Sequence, residues 1–269
     1  MKTVSVRSFV VRAAGAVAIL VSVVPFARLA AQDSAPKSTW DASVTSGVEA
    51  YSGAANTSQP SWLWEDAGVR RVAGRDSYGL DGILARRFGQ WDRAVAADVY
   101  SGITHASYAN FHAQLTPSAK FLPSEDLSAE FFQALHNAWE VSAGARRMQY
   151  ASNGSTIGTL GVARSIGAMY VRARVITLLG GHSATSFGLT GRRYGRTADD
   201  FVEGGIGTGR EVVSIGANQL YDVRGTSSVY VRGQRYVSRH AGLAATASWT
   251  TEQRVASRAG FYVSALARW

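Results

Sequence analysis

Met169-Tyr170-Val171-Arg172-Ala173-Arg174-Val175-Ile176 changes character at every step. Met169, Val171, Ala173 and Val175 fall on one side of an extended chain; Tyr170, Arg172, Arg174 and Ile176 fall on the other. Successive side chains of a strand point to opposite faces, whereas a helix would scatter both sets round its axis. The octet therefore reads as a strand with an apolar face and a largely polar one.

The same period of two recurs on both sides of it. In Arg93–Tyr100, Val95, Ala97 and Val99 oppose Ala94, Ala96, Asp98 and Tyr100. In Tyr108–Leu115, Ala109, Phe111, Ala113 and Leu115 oppose Tyr108, Asn110, His112 and Gln114. Trp139, Val141, Ala143 and Ala145 oppose Glu140, Ser142, Gly144 and Arg146. Further on, Val229 and Val231 alternate with Tyr230, Arg232, Gln234 and Tyr236, and Leu243, Ala245, Ala247 and Trp249 with Gly242, Ala244, Thr246 and Ser248. The last segment puts Phe261, Val263, Ala265, Ala267 and Trp269 on one face and ends the chain on an aromatic residue.

Such strands build either a soluble sandwich or small barrel around an apolar core, or an outer-membrane barrel whose apolar face meets lipid. Three features favour the membrane. The apolar faces are rich in alanine and glycine, thin material for a packed core. The polar faces gather Tyr, Arg, Asn, Gln and Glu, which suits a hydrogen-bonded interior. The aromatic terminus resembles the signal by which barrel-assembly machinery selects its substrates. The expected fold is thus all-β, a single antiparallel transmembrane β-barrel.

Segments of this kind lie at about 42–51, 63–74, 78–88, 93–101, 107–117, 127–136, 138–150, 155–165, 168–179, 184–194, 200–208, 211–221, 226–237, 240–250 and 255–269. These are fifteen, and a bacterial barrel with both ends in the periplasm needs an even number. Segment 42–51 is the weakest. Fourteen strands are expected, with twelve as the alternative.

Lys2, Arg7 and Arg12 precede an apolar run from Ala13 to Phe26, and Ala30-Ala31-Gln32 follows. A basic start, a short apolar stretch and then small residues describe a secretory signal peptide, cut after Ala31. The run is short of the roughly 20 residues a spanning helix needs, and Pro25 and Arg28 interrupt its end. Residues 1–31 are read as the signal, 32–41 as a short periplasmic leader and 42–269 as the barrel. The signal holds four basic residues and no acid, so the remaining chain has 24 basic and 19 acidic residues. A net charge of +5 in place of +9 gives no argument for nucleic acid. Nearly all the remaining cations are arginine, whose planar fork suits partly desolvated carboxylates and phosphates.

Composition excludes other classes. Seven Trp, eleven Tyr and ten Phe argue against disorder, and the absence of cysteine removes disulfides, thiolate metal sites and thiol nucleophiles. Charged residues make up 17%, below the roughly 25% of soluble domains.

The ordered landmarks of the middle of the chain resemble the YaiO family of outer-membrane β-barrel proteins. They are Arg86-Arg87-Phe88-Gly89 with Asp92, Tyr108, and Phe121-Leu122-Pro123. After these come Glu130-Phe131-Phe132-Gln133-Ala134-Leu135, Trp139-Glu140-Val141-Ser142-Ala143-Gly144 with Arg146, and Arg192-Arg193-Tyr194. The likeness runs from about Trp64 to the end and is strongest over 86–150. Gly167-Ala168-Met169-Tyr170 departs from it, since more glycine and aromatic residues are expected there. The resemblance implies an outer-membrane barrel of a Gram-negative bacterium and supplies no catalytic residues.

The expected surroundings are outer-membrane lipid and lipopolysaccharide, with barrel-assembly machinery engaging the strand that ends at Trp269. Asp98, Tyr100, His112, Glu140, Arg146, Arg172, Arg174 and Arg232 share the polar register and are the candidates to line the interior. A charged lumen would select anionic solutes or saccharides; alternatively, the same residues form an ion-pair network that fills the barrel. The carboxylates and tyrosines beside the arginines favour the network.

Other motifs carry less. Gly204-Gly205-Ile206-Gly207-Thr208-Gly209 has glycines like those of a dinucleotide loop but leads into another alternating segment, so a tight turn is expected. Ser34-Ala35-Pro36-Lys37 has the serine–lysine spacing of penicillin-binding enzymes but contains proline and lacks the partner motifs. An outer-membrane lipid hydrolase would use a lumen or rim histidine. His112 shares its register with Tyr108 and Asn110, His105, His136 and His182 sit at turns, and no nucleophile–base pair is specified. No enzyme, cofactor or metal is expected. Thr116 to Asp126, with two prolines, is a loop whose apolar tip either folds inward as a partial plug or meets a partner.

Overall fold

The computed structural model describes residues 38–52, 61–151, 153–180, 184–216, 220–253 and 256–269. The signal-peptide reading, most of the 32–41 segment and His182 lie outside the described residues.

Fourteen antiparallel strands form one closed barrel. They are β1 (Thr39–Ser52), β2 (Trp62–Ala73), β3 (Asp76–Arg87), β4 (Gln90–Gly102), β5 (Ser107–Leu115), β6 (Glu125–Ala134) and β7 (Trp139–Gln149). The ring continues with β8 (Gly154–Ile166), β9 (Met169–Leu179), β10 (Thr185–Tyr194), β11 (Phe201–Gly216), β12 (Leu220–Tyr236), β13 (Ala241–Glu252) and β14 (Ala256–Arg268). Each strand pairs with its neighbours in sequence, and β1 pairs with β14 from Asp41↔Arg268 to Ser52↔Ser257. Closure leaves no unpaired sheet edge, which a chain in hydrocarbon cannot tolerate.

The faces sort inside out. Leu160 (64% exposed), Ile206 (60%) and Val202 (59%) stand on the outer surface, whereas the largest fully buried side chains are Phe132, Asp92 and Asp126. A face this apolar is a liability in water and the expected surface in a bilayer. Trp40, Trp139 and Trp269 lie on the outside near the end where β1 begins and β14 finishes. Arg71 stands 5.9 Å from the Trp40 ring and Arg164 5.1 Å from that of Trp139. Rings with a polar partner are the side chains that settle at a membrane interface.

The count of fourteen agrees with the alternation, but the surplus segment is not the one expected. Segment 42–51 is a full strand of 14 residues. The extra break lies at Gly209-Arg210, where β11 runs on from Phe201 to Gly216, and β12 takes up the rest of 211–221 together with 226–237. The Gly204–Gly209 run is therefore not a turn but the middle of β11. Gly209 (φ +144°) lies so close to β10 that a Cβ would come within 2.3 Å of Ser186 Cα. Its glycine serves backbone approach, not reversal. The actual turn at the other departure, between Ile166 and Met169, uses Gly167 at φ +58°.

Inward glycines make room for rings across the strand pair. Gly47 lies opposite Tyr262, whose ring would stand 1.9 Å from an added Cβ; Gly205 lies likewise under Tyr230, at 2.3 Å. The Tyr262 hydroxyl donates to Glu49, which is 2% exposed. Gly47→Ala is expected to lift the ring from that carboxylate and to cost about 1–3 kcal/mol, the usual range for overpacking. Urea unfolding in lipid vesicles would show it; an unchanged midpoint would mean the ring can move aside freely.

Candidate functional site

The barrel interior is the candidate site, and the eight residues expected to line it all lie on strand faces turned inward. They belong to separate clusters and not to one centre.

The first cluster lies toward the end where β1 begins and β14 finishes. Tyr108 of β5 stacks on Phe132 of β6 at 4.5 Å and meets Tyr100 of β4 at 5.0 Å. Glu140 on β7 accepts hydrogen bonds from Tyr108 (2.5 Å) and Tyr170 (2.8 Å). Arg172 donates to Glu130 and, at 2.9 Å, to Ser142, with its guanidinium 5.1 Å from the Phe132 ring. Arg174 follows it inward on β9. Further round, Arg192 pairs with Glu203 (2.7 Å), Tyr230 donates to the same carboxylate (2.9 Å), and Arg232 bonds Gln234 (3.3 Å). At the base Arg268 holds Asp41 (2.5 Å) on β1 and Asp199 (2.7 Å) in the β10–β11 connection.

A row crosses the wall at mid-height. Asp98, His112, Ser128 and Arg146 face one another in register across β4, β5, β6 and β7. His112 Nδ1 lies 3.2 Å from Asp98 Oδ2, and Arg146 forks onto Asp126 with its Nε at 2.7 Å. Asp66 on β2 and Asp81 on β3 continue the inner face beside Asp98. The Asp81 carboxylate lies over Gly68, where a Cβ would come within 1.9 Å of it.

The third cluster lies at the opposite end, where β4 begins. Asp92 is 2% exposed, and its carboxylate accepts the backbone N–H groups of Lys120 (2.8 Å), Phe121 (2.9 Å) and Leu122 (2.8 Å). The loop between Leu115 and Glu125 is thereby drawn in. Phe121 (2% exposed) meets the Phe88 ring at 6.4 Å, Phe88 meets Trp62 at 5.8 Å, and Trp62 meets Tyr51 at 5.0 Å. Phe88 holds φ +51° in the β3–β4 turn, uncommon for a bulky residue, and its packing between two rings offsets that strain. Arg87 lies over the Trp62 ring beside Glu49, Glu252 and Arg258, all within one buried group. Of the two alternatives for the 116–126 loop, the inward fold is the one the structure adopts.

The sequence reading did not include Asp92, Asp126, Arg192, Glu203, Asp66 or Asp81 among the lumen candidates, although Asp92 and Arg192 are landmarks of the family resemblance and each of the six sits on the polar parity of its strand. Parity carried out to the strand ends would have found them; which neighbour each meets depends on register, which no single strand encodes. A groove of about 550 Å³ lined by Leu160, Val162, Val175, Phe187 and Ile206 lies on the outer face and is not part of the lumen.

The YaiO membrane beta barrel domain model matches residues 41–212. No curated protein matches the chain. Among solved structures, the Acinetobacter baumannii outer membrane protein Omp33 is similar with a TM-score of 0.51 and 11% identity, covering 84% of this chain and 97% of its own. The outer membrane channel from Pseudomonas putida F1 has a TM-score of 0.50 and 9% identity, covering 90% of this chain and 100% of its own. At such identities the likeness concerns the fold alone.

Proposed function

Because this chain belongs to the YaiO membrane β-barrel family of the outer membrane, we propose that it is a conduit for small polar solutes across that membrane. The observation that carries the reading is the course of the ion pairs. Among the described residues, every ion pair between two strands joins neighbours or, for Arg172 with Glu130, strands three places apart. These pairs follow the wall, and the one that departs from it joins Arg268 to Asp199 of the β10–β11 connection at the base. Fourteen strands spaced about 4.8 Å apart and tilted by about 40° enclose a wall roughly 28 Å across, wider than two facing side chains together can bridge. A network plugging the barrel would have to cross that gap. The channel named among the similar structures is in keeping with this. In the proposed orientation the termini face the periplasm after export, Trp269 presents the last strand to the assembly machinery, and the solutes are saccharides or other polar molecules. Purified protein in planar bilayers should give discrete conductance steps; their absence would sink the conduit.

A second reading has one observation in its favour. Asp98, His112 and Ser128 stand in one row, with the Nδ1 edge of the imidazole toward the carboxylate, as in a nucleophilic triad. The row faces the lumen, so its substrate would be a soluble ester and not bilayer lipid. Ser128 makes no hydrogen bond to His112, so the pair is unassembled as it stands. A fluorophosphonate that labels Ser128 and fails to label the His112→Ala variant would support this reading, and an unlabelled Ser128 would remove it.

A further inference from the structure

In a ring of fourteen, strands seven places apart face each other, so β2, β3 and β4 look across at β9, β10 and β11. The two walls are oppositely charged. At mid-height the first carries Asp66, Asp81 and Asp98, close enough to repel one another. Asp98 is shared with His112, and Arg70 is the nearby cation of Asp81. Asp66 and Asp81 make no ion pair or hydrogen bond among the described residues. The facing strands β9 and β10 carry Arg172, Arg174 and Arg192 inward with no inward carboxylate. Glu130 on β6 and Glu203 on the facing strand β11 pair with Arg172 and Arg192 and lie within electrostatic reach of Arg174, and Arg232 on β12 brings the arginines to four against these two carboxylates.

Both sets are anchored on rigid strands. The Arg172 guanidinium lies within 3.2 Å of where a Gly161 Cβ would stand, just as Asp81 lies over Gly68. Among the described residues, no ion pair joins Asp66, Asp81 or Asp98 to an arginine of the facing strands. The lumen is left with a standing field directed from the arginine wall to the aspartate wall, across the path of a solute.

We propose that this transverse field makes dipolar solutes the favoured cargo: small zwitterions, with an ammonium turned to the Asp66–Asp81 wall and a carboxylate turned to the Arg174 wall. The inference rests on the conduit reading. A neutral polyol gains nothing from the field, and a simple ion is attracted to one wall and repelled by the other. A zwitterion with separated charges is attracted at both ends. Charged clefts with low-dielectric walls concentrate matching solutes and raise their entry rates. Salt sets the reach of each wall, about 30 Å at 0.01 M but 3 Å at 1 M, against a lumen narrower than the wall-to-wall width.

The test is swelling of proteoliposomes holding the full-length barrel, with γ-aminobutyrate and the neutral polyol erythritol as probes. At 10 mM salt the zwitterion should enter about tenfold faster than the polyol. The ratio should fall toward one at 1 M salt, in the Asp66→Asn/Asp81→Asn variant, and in Arg174→Gln on the facing wall. Folding of each variant is checked by heat-modifiable gel mobility, and the salt series on the unaltered protein decides if a variant does not fold. Equal rates for the two probes, or a ratio indifferent to salt, would overturn the field while leaving the conduit standing. If neither probe enters, the conduit itself fails, and the inference with it.

Discussion

Asp92→Ala should open the Lys120–Phe121 bond to trypsin about a hundredfold faster than in the unaltered protein, equivalent to roughly 3 kcal/mol of loop docking. One carboxylate takes three successive backbone N–H groups, and the middle one belongs to the scissile bond. Hydrogen bonds to a charged group contribute about 1.5–3 kcal/mol each, so their gross sum exceeds the effect expected. The effect falls short of that sum because the edge-to-face contacts of Phe121, Phe88 and Trp62 still hold the tip. Asp92→Asn should behave almost as badly, since its amide would set N–H against N–H. Cleavage at the original rate in the alanine variant would show that the aromatic contacts alone keep the loop in. If the barrel conducts, the same substitution should also raise its conductance, because the loop lies in one mouth.

Arg192→Ala comes next in expected size. Arg192 and Glu203 are 6% and 8% exposed, and the guanidinium lies 4.0 Å from the Phe201 ring. Removing the cation leaves a buried carboxylate with the Tyr230 hydroxyl as its remaining hydrogen-bond partner, which costs about 3–5 kcal/mol. Combining Arg192→Met with Glu203→Gln removes both charges at similar volume and should recover most of that loss. Urea unfolding in lipid vesicles, followed by tryptophan fluorescence, measures both. A loss below about 1 kcal/mol in the single variant would mean that lumen water solvates Glu203 as well as the arginine does.

How much of this was legible in the sequence follows from what each feature depends on. Alternation is local, so twelve of the fourteen strands could be read from their own residues, β11 and β12 being the two divided wrongly, and Val95 against Asp98 or Val171 against Arg172 already told outside from inside. The glycine run in β11 misled because glycine reads as a turn when only one strand is in view. Gly209 is needed for its distance to Ser186, a residue more than twenty positions away. The interior clusters were legible as a list and not as geometry. Arg172 and Glu140 stood on the right face, but their partners Glu130 and Tyr108 are fixed by register and by strand order. Asp92 stood out as a landmark of the family resemblance, but nothing in it pointed to the loop, because its three partners there are backbone groups.

The meeting of Trp40 and Trp269 fixes the order of events in assembly. Their backbones exchange two hydrogen bonds, 2.9 and 3.0 Å long, and next to them Arg268 holds Asp41 across 227 residues of chain. A loop of that length costs roughly 5 kcal/mol of chain entropy to close, whereas every other hairpin in the ring spans a short connection. The thirteen local pairings can therefore form in any order, but the fourteenth repays its entropy only when the rest of the sheet is already curved. Until then both end strands present bare ladders. The start of β1 and the end of β14 finish side by side, so linking Trp40 to Trp269 by a short connection would leave the ring intact and allow new ends to be cut at the Gly167 turn.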